Sequence, residues 1–352
     1  MEFSKAALLG LVLLQSGCSF WTQKSDTVLI REPKDTSYSV HNDLGKIARE
    51  YWRYSALAAN AYQLAWPTYE KKLEVANDKS QLPPLGEQFE LACRDNSKNM
   101  LPTPGWYAWE NFPNEDLLKR AEDAKLFFSV WERRTKSGKV AEIAIVFRGT
   151  EGDQRQDWFS NLRWFIPTRF RGEDQYDITR FWVSRAFEAE LQERMRRNEV
   201  PEDVKIVAIG HSLGGGLAQQ LAYALPRNAY HPIRVGKVVA LNSSPVTGWY
   251  TTDNPPRDEN TRGLKIDRVF EHGEALAYIR LSINLVFPPY KSASDVRDLR
   301  FNLEETAGGF INHQIQFFAC RLAEKAGATQ GVIHTENFNS DEVAAADAEE
   351  KQ

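Results

Sequence analysis

The sequence predicts an α/β protein built on a mainly parallel sheet, and three observations predict it. Val204–Ile209 is a short, nearly continuous run rich in β-branched residues, the pattern of a strand buried on both faces. Directly after it Leu213, Leu217, Leu221 and Leu225 recur every four residues, which is the spacing of one helix face. The same alternation of apolar run and helical spacing repeats along the chain, as in a sheet covered by crossover helices.

Taken in order, the chain opens with a targeting segment. Lys5 precedes an apolar stretch from Ala6 to Leu14, too short to span a membrane, and small residues follow. Ser16-Gly17-Cys18 resembles a bacterial lipobox, with Gln15 in place of the aliphatic residue usual three positions before the cysteine. The expectation is a signal peptide over 1–17 and a mature N-terminus at Cys18 carrying lipid. That protein would sit in the cell envelope, on the outer membrane or the periplasmic face, anchored to a membrane surface without spanning it. A plain secretory signal is the alternative, and export follows from either.

Residues 18–43 are polar, contain Pro33 and read as a tether. A domain is expected over 44–336. Leu44–Leu64 reads as its first helix, with Ile47, Tyr51, Tyr54, Leu57, Ala58 and Ala61 on one side. Residues 66–113 read as an ordered insertion, because a linker would not carry Trp106, Tyr107, Trp109 and Phe112. Lys125–Glu132 and Ala141–Arg148 read as strands of a hairpin turning over Thr135-Lys136-Ser137-Gly138. Asp157–Phe165 reads as extended, and Ile178–Arg197 as a helix with Phe181, Trp182, Ala186, Phe187 and Leu191 inward. Val235–Leu241 and Lys265–Glu271 are two further apolar strands, and His313–Lys325 is the last helix. Residues 337–352 form an acidic tail expected to be disordered.

Charge and cysteines narrow the function classes. The net charge of −4 lies entirely in the segment from Asp341 to Gln352, so the body is neutral and offers no basis for binding nucleic acid. Two of the three cysteines, Cys93 and Cys320, remain once Cys18 is assigned to the lipid. An oxidising compartment permits their bridge, but two buried free thiols are the commoner state and the one expected. No metal-ligand spacing, phosphate loop or dinucleotide motif occurs, so neither metal nor cofactor is expected.

The chemistry lies between the best strand and the best helix. Gly210-His211-Ser212-Leu213-Gly214 is a G-x-S-x-G sequence at a strand-to-helix junction, the context of a nucleophile elbow. A serine nucleophile needs a base for its proton, an acid to orient the base, and donors for the oxyanion. Acids are available in Glu274 just after the strand Lys265–Glu271, in Glu271 at its end and in Asp267 inside it. Of six histidines, His313 and His334 lie downstream of these acids.

Ala144-Ile145-Val146-Phe147-Arg148-Gly149-Thr150, Asp157-Trp158 and Gly210–Gly215 together resemble the class 3 lipases, the fungal triacylglycerol lipase-like α/β-hydrolases. The resemblance runs from about 44 to about 326, outside the insertion. It implies an α/β-hydrolase fold: a mainly parallel central sheet with helices on both faces. It implies Ser212 as nucleophile, and Thr150 with the backbone N–H of Leu213 as oxyanion donors. Glu274 stands where the family carries Asp, and His313 precedes a helix like the one that follows the family's histidine. The lid of that family would correspond to Phe159, Trp164, Phe165 and Phe170 among Arg163, Arg169 and Arg171. The implied activity is hydrolysis of lipid carboxylic esters, such as acylglycerols or phospholipids, through a Ser-His-Glu triad and an acyl-enzyme. A short soluble ester as substrate, or a silent envelope lipoprotein that binds a partner, are the rival expectations.

Overall fold

A computed structural model of the chain describes residues 24–66, 69, 72, 77–78, 82–94, 98–150, 173–227, 233–277, 280, 291–303 and 312–330. Nine strands form one sheet: β1 (Val28–Arg31), β2 (Ser39–His41), β3 (Trp106–Ala108), β4 (Phe128–Arg134), β5 (Val140–Phe147), β6 (Lys205–His211), β7 (Lys237–Leu241), β8 (Lys265–Glu271) and β9 (Asp295–Phe301). Their order is β2-β1-β9-β8-β7-β6-β5-β4-β3. From β5 through β9 every pair is parallel, and antiparallel strands close both edges. The α/β-hydrolase architecture expected from the sequence is therefore the one observed.

Successive side chains of a strand point to opposite faces, so each central strand feeds two cores. Ala144, Val146, Val207, Ile209, Val239, Leu241 and Val269 pack on one face under α1 (Leu44–Asn60), α2 (Leu85–Ala92) and a helix near the C-terminal end, Ile315–Lys325. Ile143, Ile145, Phe147, Ile206, Ala208, Val238 and Ala240 pack on the other, under α3 (Glu115–Asp123), a helical stretch starting at Gln175, and α6 (Leu213–Ala224). The stretch from Gln175 is α4 (Gln175–Ile178), a π turn over Thr179–Val183, and α5 (Ser184–Arg196). The sequence predicts one uninterrupted helix there with Phe181 and Trp182 inward; the widened turn inserts into the ladder and shifts the register, so Val183, Phe187 and Leu191 are buried while Trp182 is exposed and Phe181 only half-buried. A four-residue helix, α7 (Arg257–Asn260), precedes β8, and Ile315–Lys325 is α8.

Three regions depart from expectation. The stretch read as a tether, 18–43, supplies two strands from residue 28 onward. Leu29 pairs with Arg300 and Ile30 with Leu299 across β1 and β9, so this part of the chain belongs to the sheet. Short edge strands carry too few alternating apolar positions to be seen, and β1 is held partly by charge. Arg31 Nη2 meets Asp298 Oδ2 at 3.0 Å, both groups buried, and Arg268 Nε reaches the other oxygen of Asp298 at 2.6 Å. Burial alone would raise the Asp298 carboxyl, but the two guanidiniums outweigh it and hold it below the usual carboxylate range. The second departure is β9, whose sequence DVRDLRF hides a buried strand behind four charged residues.

The third is the cysteine pair. Cys93 and Cys320 are joined in a disulfide with 5.8 Å between their Cα atoms, where free thiols were expected. The cause is packing of the inserted segment: Phe89 and Ala92 of α2 share a core with Ile315, Phe318 and Ala319 of α8. Gln316 Nε2 also donates to the Ala92 carbonyl at 2.9 Å. Within the inserted region Trp106 and Trp109 are fully buried, and β3 pairs with β4 at the sheet edge. The stretch expected to be a signal peptide, with Cys18, the aromatic-basic stretch 151–172, His231, His334 and the acidic tail lie outside the described residues.

Candidate active site

The carboxyl ends of parallel strands gather in one place, and open α/β sheets bind ligands there. β6 ends at His211, and Ser212 follows with φ 56° and ψ −125°, a conformation that costs a non-glycine residue about 1–3 kcal/mol. It is tied down on both sides. The Ser212 N–H donates to the Leu241 carbonyl at 3.0 Å, and the Ser212 carbonyl accepts from the N–H groups of Ser244 at 2.9 Å and Gly215 at 3.1 Å. The elbow works only with glycine beneath it. A Cβ at Gly210 would lie 2.0 Å from the Gly214 carbonyl oxygen, inside the first turn of α6.

Arg148, Gly149 and Thr150 leave β5 beside this elbow. A Cβ at Gly149 would come within 2.9 Å of Ser212 Cβ and 2.6 Å of the His211 carbonyl, so the turn brushes Ser212. Leu213 opens α6, where the first N–H groups have no intrahelical acceptor and the helix dipole favours negative charge.

The structure brings Ser212, His313 and Glu274 into one hydrogen-bonded run. Ser212 Oγ lies 3.1 Å from His313 Nε2, and His313 Nδ1 lies 2.7 Å from Glu274 Oε2. All three are buried. Glu274 also accepts from the Leu276 N–H at 2.9 Å, and its Oε1 is paired with Arg280 Nη2. Arg280 Nη1 donates in turn to the Ser243 carbonyl at 2.8 Å. Burial by itself raises the Glu274 carboxyl. Arg280 first, then the hydrogen bond and charge of His313, more than offset that, and the net direction is down. Glu274 therefore stays ionised, and its charge demands that His313 carry its proton on Nδ1. That leaves Nε2 as the acceptor for the serine hydroxyl proton.

The competing acids are engaged elsewhere. Asp267 accepts from Tyr51 Oη at 2.9 Å, and Glu271 Oε1 accepts from the Leu303 N–H at 2.7 Å. Two asparagines that sequence reasoning missed hold the strand ends. Asn242 Nδ2 donates to the Asn312 carbonyl at 3.1 Å while its Oδ1 accepts from the Glu271 N–H at 2.9 Å. Asn312 Nδ2 donates to the His272 carbonyl at 3.0 Å. Burial and the neighbouring Arg300 push His272 down to about 4, so it is neutral near pH 7. Arg280, six residues past Glu274, and Tyr62, just past α1, were likewise missed; nothing in their local sequence marks them. Among the described residues no group of three or more His, Cys, Asp or Glu is disposed to hold a metal ion, and no helix is long and apolar enough to cross a membrane.

Residues 144–254 match the model of the lipase (class 3) family. That segment contains Thr150, Ser212 and Leu213 and ends before Glu274 and His313. No curated protein matches the chain. Among solved structures it is similar to the extracellular lipase LipA of Serratia marcescens, at 16% identity over 56% of this chain and 36% of that one, with a TM-score of 0.27. The chain thus spans about a third of the length of that lipase. It is also similar to acetyl xylan esterase 1 of Thermoanaerobacterium sp. JW/SL YS485, at 14% identity over 72% of this chain and 98% of the esterase, with a TM-score of 0.27.

Proposed function

We propose that the chain, whose residues 144–254 match the lipase (class 3) model, is a serine hydrolase that cleaves carboxylic esters of lipids through an acyl-enzyme. The observation that carries this reading is the run from Ser212 Oγ through His313 to Glu274, at 3.1 and 2.7 Å. Ser212 Oγ attacks the ester carbonyl carbon as its proton passes to His313 Nε2. The carbonyl oxygen becomes an anion received by the Leu213 N–H and by Thr150. Collapse breaks the ester C–O bond, and the leaving alcohol takes the proton from His313. Water, deprotonated by the same nitrogen, then releases the acid and restores Ser212. Glu274 keeps the ring oriented and stabilises the imidazolium formed at each attack. In the same reading the protein is exported and held at a membrane surface by lipid on Cys18, which would keep it next to its substrate.

Reaction with a fluorophosphonate followed by peptide mapping tests the nucleophile, and p-nitrophenyl esters of increasing acyl length test the substrate class. Ser212 should carry the label, Ser212→Ala should lose turnover by several powers of ten with the fold intact, and kcat/KM should rise with chain length. Label on another residue, or Ser212→Ala within about tenfold of wild type, would sink the assignment. A preference for acetyl esters would move the substrate to small soluble esters, and an unlabelled protein would leave a binding lipoprotein.

A further inference from the structure

His211 belongs to the elbow motif, yet its ring nitrogens are bonded to Tyr62 and to the His313 main chain, and it is given no chemical part above. It is buried, and its proton inventory is determined by its neighbours. Burial first, then the neighbouring His313, drive its pKa well below 6.5, so the ring is neutral. Nε2 lies 2.7 Å from the main-chain carbonyl of His313, an acceptor only, so Nε2 holds the ring proton. Nδ1 is then an acceptor, and the hydroxyl of Tyr62, 2.8 Å away, must donate to it. The same Tyr62 oxygen accepts from the Gly149 N–H at 3.0 Å. Three hydrogen bonds therefore point one way: Gly149 N–H to Tyr62, Tyr62 O–H to His211, and His211 Nε2–H to the His313 carbonyl.

The ends of this chain are the two parts of the site that must keep step. Gly149 precedes Thr150 in the turn against Ser212, and the other end is the backbone of the histidine on Ser212 Oγ. The ring of His211 also lies against that of His313, with centroids 4.8 Å apart. We propose that Tyr62 and His211 are positioning residues that lock the Gly149–Thr150 turn and the His313 backbone into one register, so that proton acceptor and oxyanion donors meet the same carbonyl. Neither touches substrate. The inference rests on the ester-hydrolase reading above and adds a coupling that reading does not require.

The test uses Tyr62→Phe, His211→Leu, the double variant, and His211→Gln, whose amide can still donate to one neighbour and accept from the other. Sites are titrated with a fluorophosphonate, kcat and KM are measured per titrated site on one p-nitrophenyl ester, and Tm is recorded. We expect Tyr62→Phe to lower kcat by about 10- to 100-fold with KM nearly unchanged, since misplacement of reacting groups by an ångström costs on that order. The double variant should be no worse than His211→Leu, because either change breaks the same chain, and His211→Gln should recover part of the loss. Titrated sites that turn over at the wild-type rate in Tyr62→Phe overturn the proposal. So does a loss carried wholly by a smaller titre of folded sites, or additive effects in the double variant. A wild-type protein whose Ser212 takes no label overturns the hydrolase reading itself, an outcome distinct from equal per-site rates in labelled wild type and variant.

Discussion

At Glu274 burial and charge act against each other, and the balance sets acid stability and, in the proposed mechanism, the orientation of His313. A fully buried carboxylate is tolerated because Arg280, itself buried, meets one oxygen while His313 and the Leu276 N–H share the other. The glutamate is one methylene longer than an aspartate, and Arg280 restrains that extra reach. Glu274→Gln keeps the shape and loses the charge, so the ring is no longer forced to carry its proton on Nδ1. The expected fall in kcat is about 10⁴-fold, as when an orienting carboxylate becomes an amide, read by steady-state kinetics at pH 8. The stability consequence has a definite sign. The folded carboxyl lies below its ordinary value of 4.5, so the unfolded chain binds the proton more readily. Its stabilisation is complete above pH 4.5 and is lost as pH falls through the folded value. Chemical denaturation between pH 6 and 3 should therefore show a shallower acid-side decline for Glu274→Gln than for wild type, although the variant is less stable at pH 6 because Arg280 loses its counter-ion. Equal slopes would show that the carboxyl is not held down in the folded state.

The helix that follows His313 is tied to the inserted segment by a covalent link. α8 follows His313 directly, and Cys320 within it is bonded to Cys93 at the end of α2. A cross-link that closes a loop of 227 residues restricts the unfolded chain strongly, and such bridges typically contribute about 2–5 kcal/mol. Cys93→Ser with Cys320→Ser should lower Tm by several degrees, and reduction of the wild type should match it. Because α8 also packs on α1 and on β6 through one core, kcat near room temperature should fall much less than stability does. Calorimetry with and without reductant, beside kinetics, separates the two. An unchanged Tm after reduction would mean that α2 and α8 are held by packing and the Gln316–Ala92 hydrogen bond alone.

For the whole molecule, the proposed anchor at Cys18 would decide where the domain works. Residue 24, the first described, is followed within four residues by β1, so little chain separates Cys18 from the sheet. Lipid on Cys18 would accordingly keep the domain close to the membrane surface. Cys18→Ser should move the protein from the membrane pellet to the soluble fraction on envelope fractionation, with kcat on a soluble ester unchanged. A wild-type protein already soluble, and of unmodified mass at its N-terminus, would rule out the anchor.

The parts legible in the sequence are those whose signal is contiguous. Five apolar residues among the six before Gly210 and leucines every four after it mark β6 and α6, and the serine between them needs no distant partner to be recognised. Glu274 and His313 were legible as candidates because the order of serine, acid and base along the chain narrows the choice. Other features depended on contacts remote in sequence. Arg31 and Asp298 are 267 positions apart, Cys93 and Cys320 are 227, and Tyr62 and His211 are 149. Periodicity of 2 or 3.6 reports only which face of an element is apolar. It is silent on which strand lies next to which, and the order β1-β9-β8 is what brings Arg31 to Asp298. The same holds at the site: local sequence determined a serine on a strained turn, whereas the neutral state of His211, the partner of Glu274 and the bridge between α2 and α8 were decided by burial and proximity that only the folded chain creates.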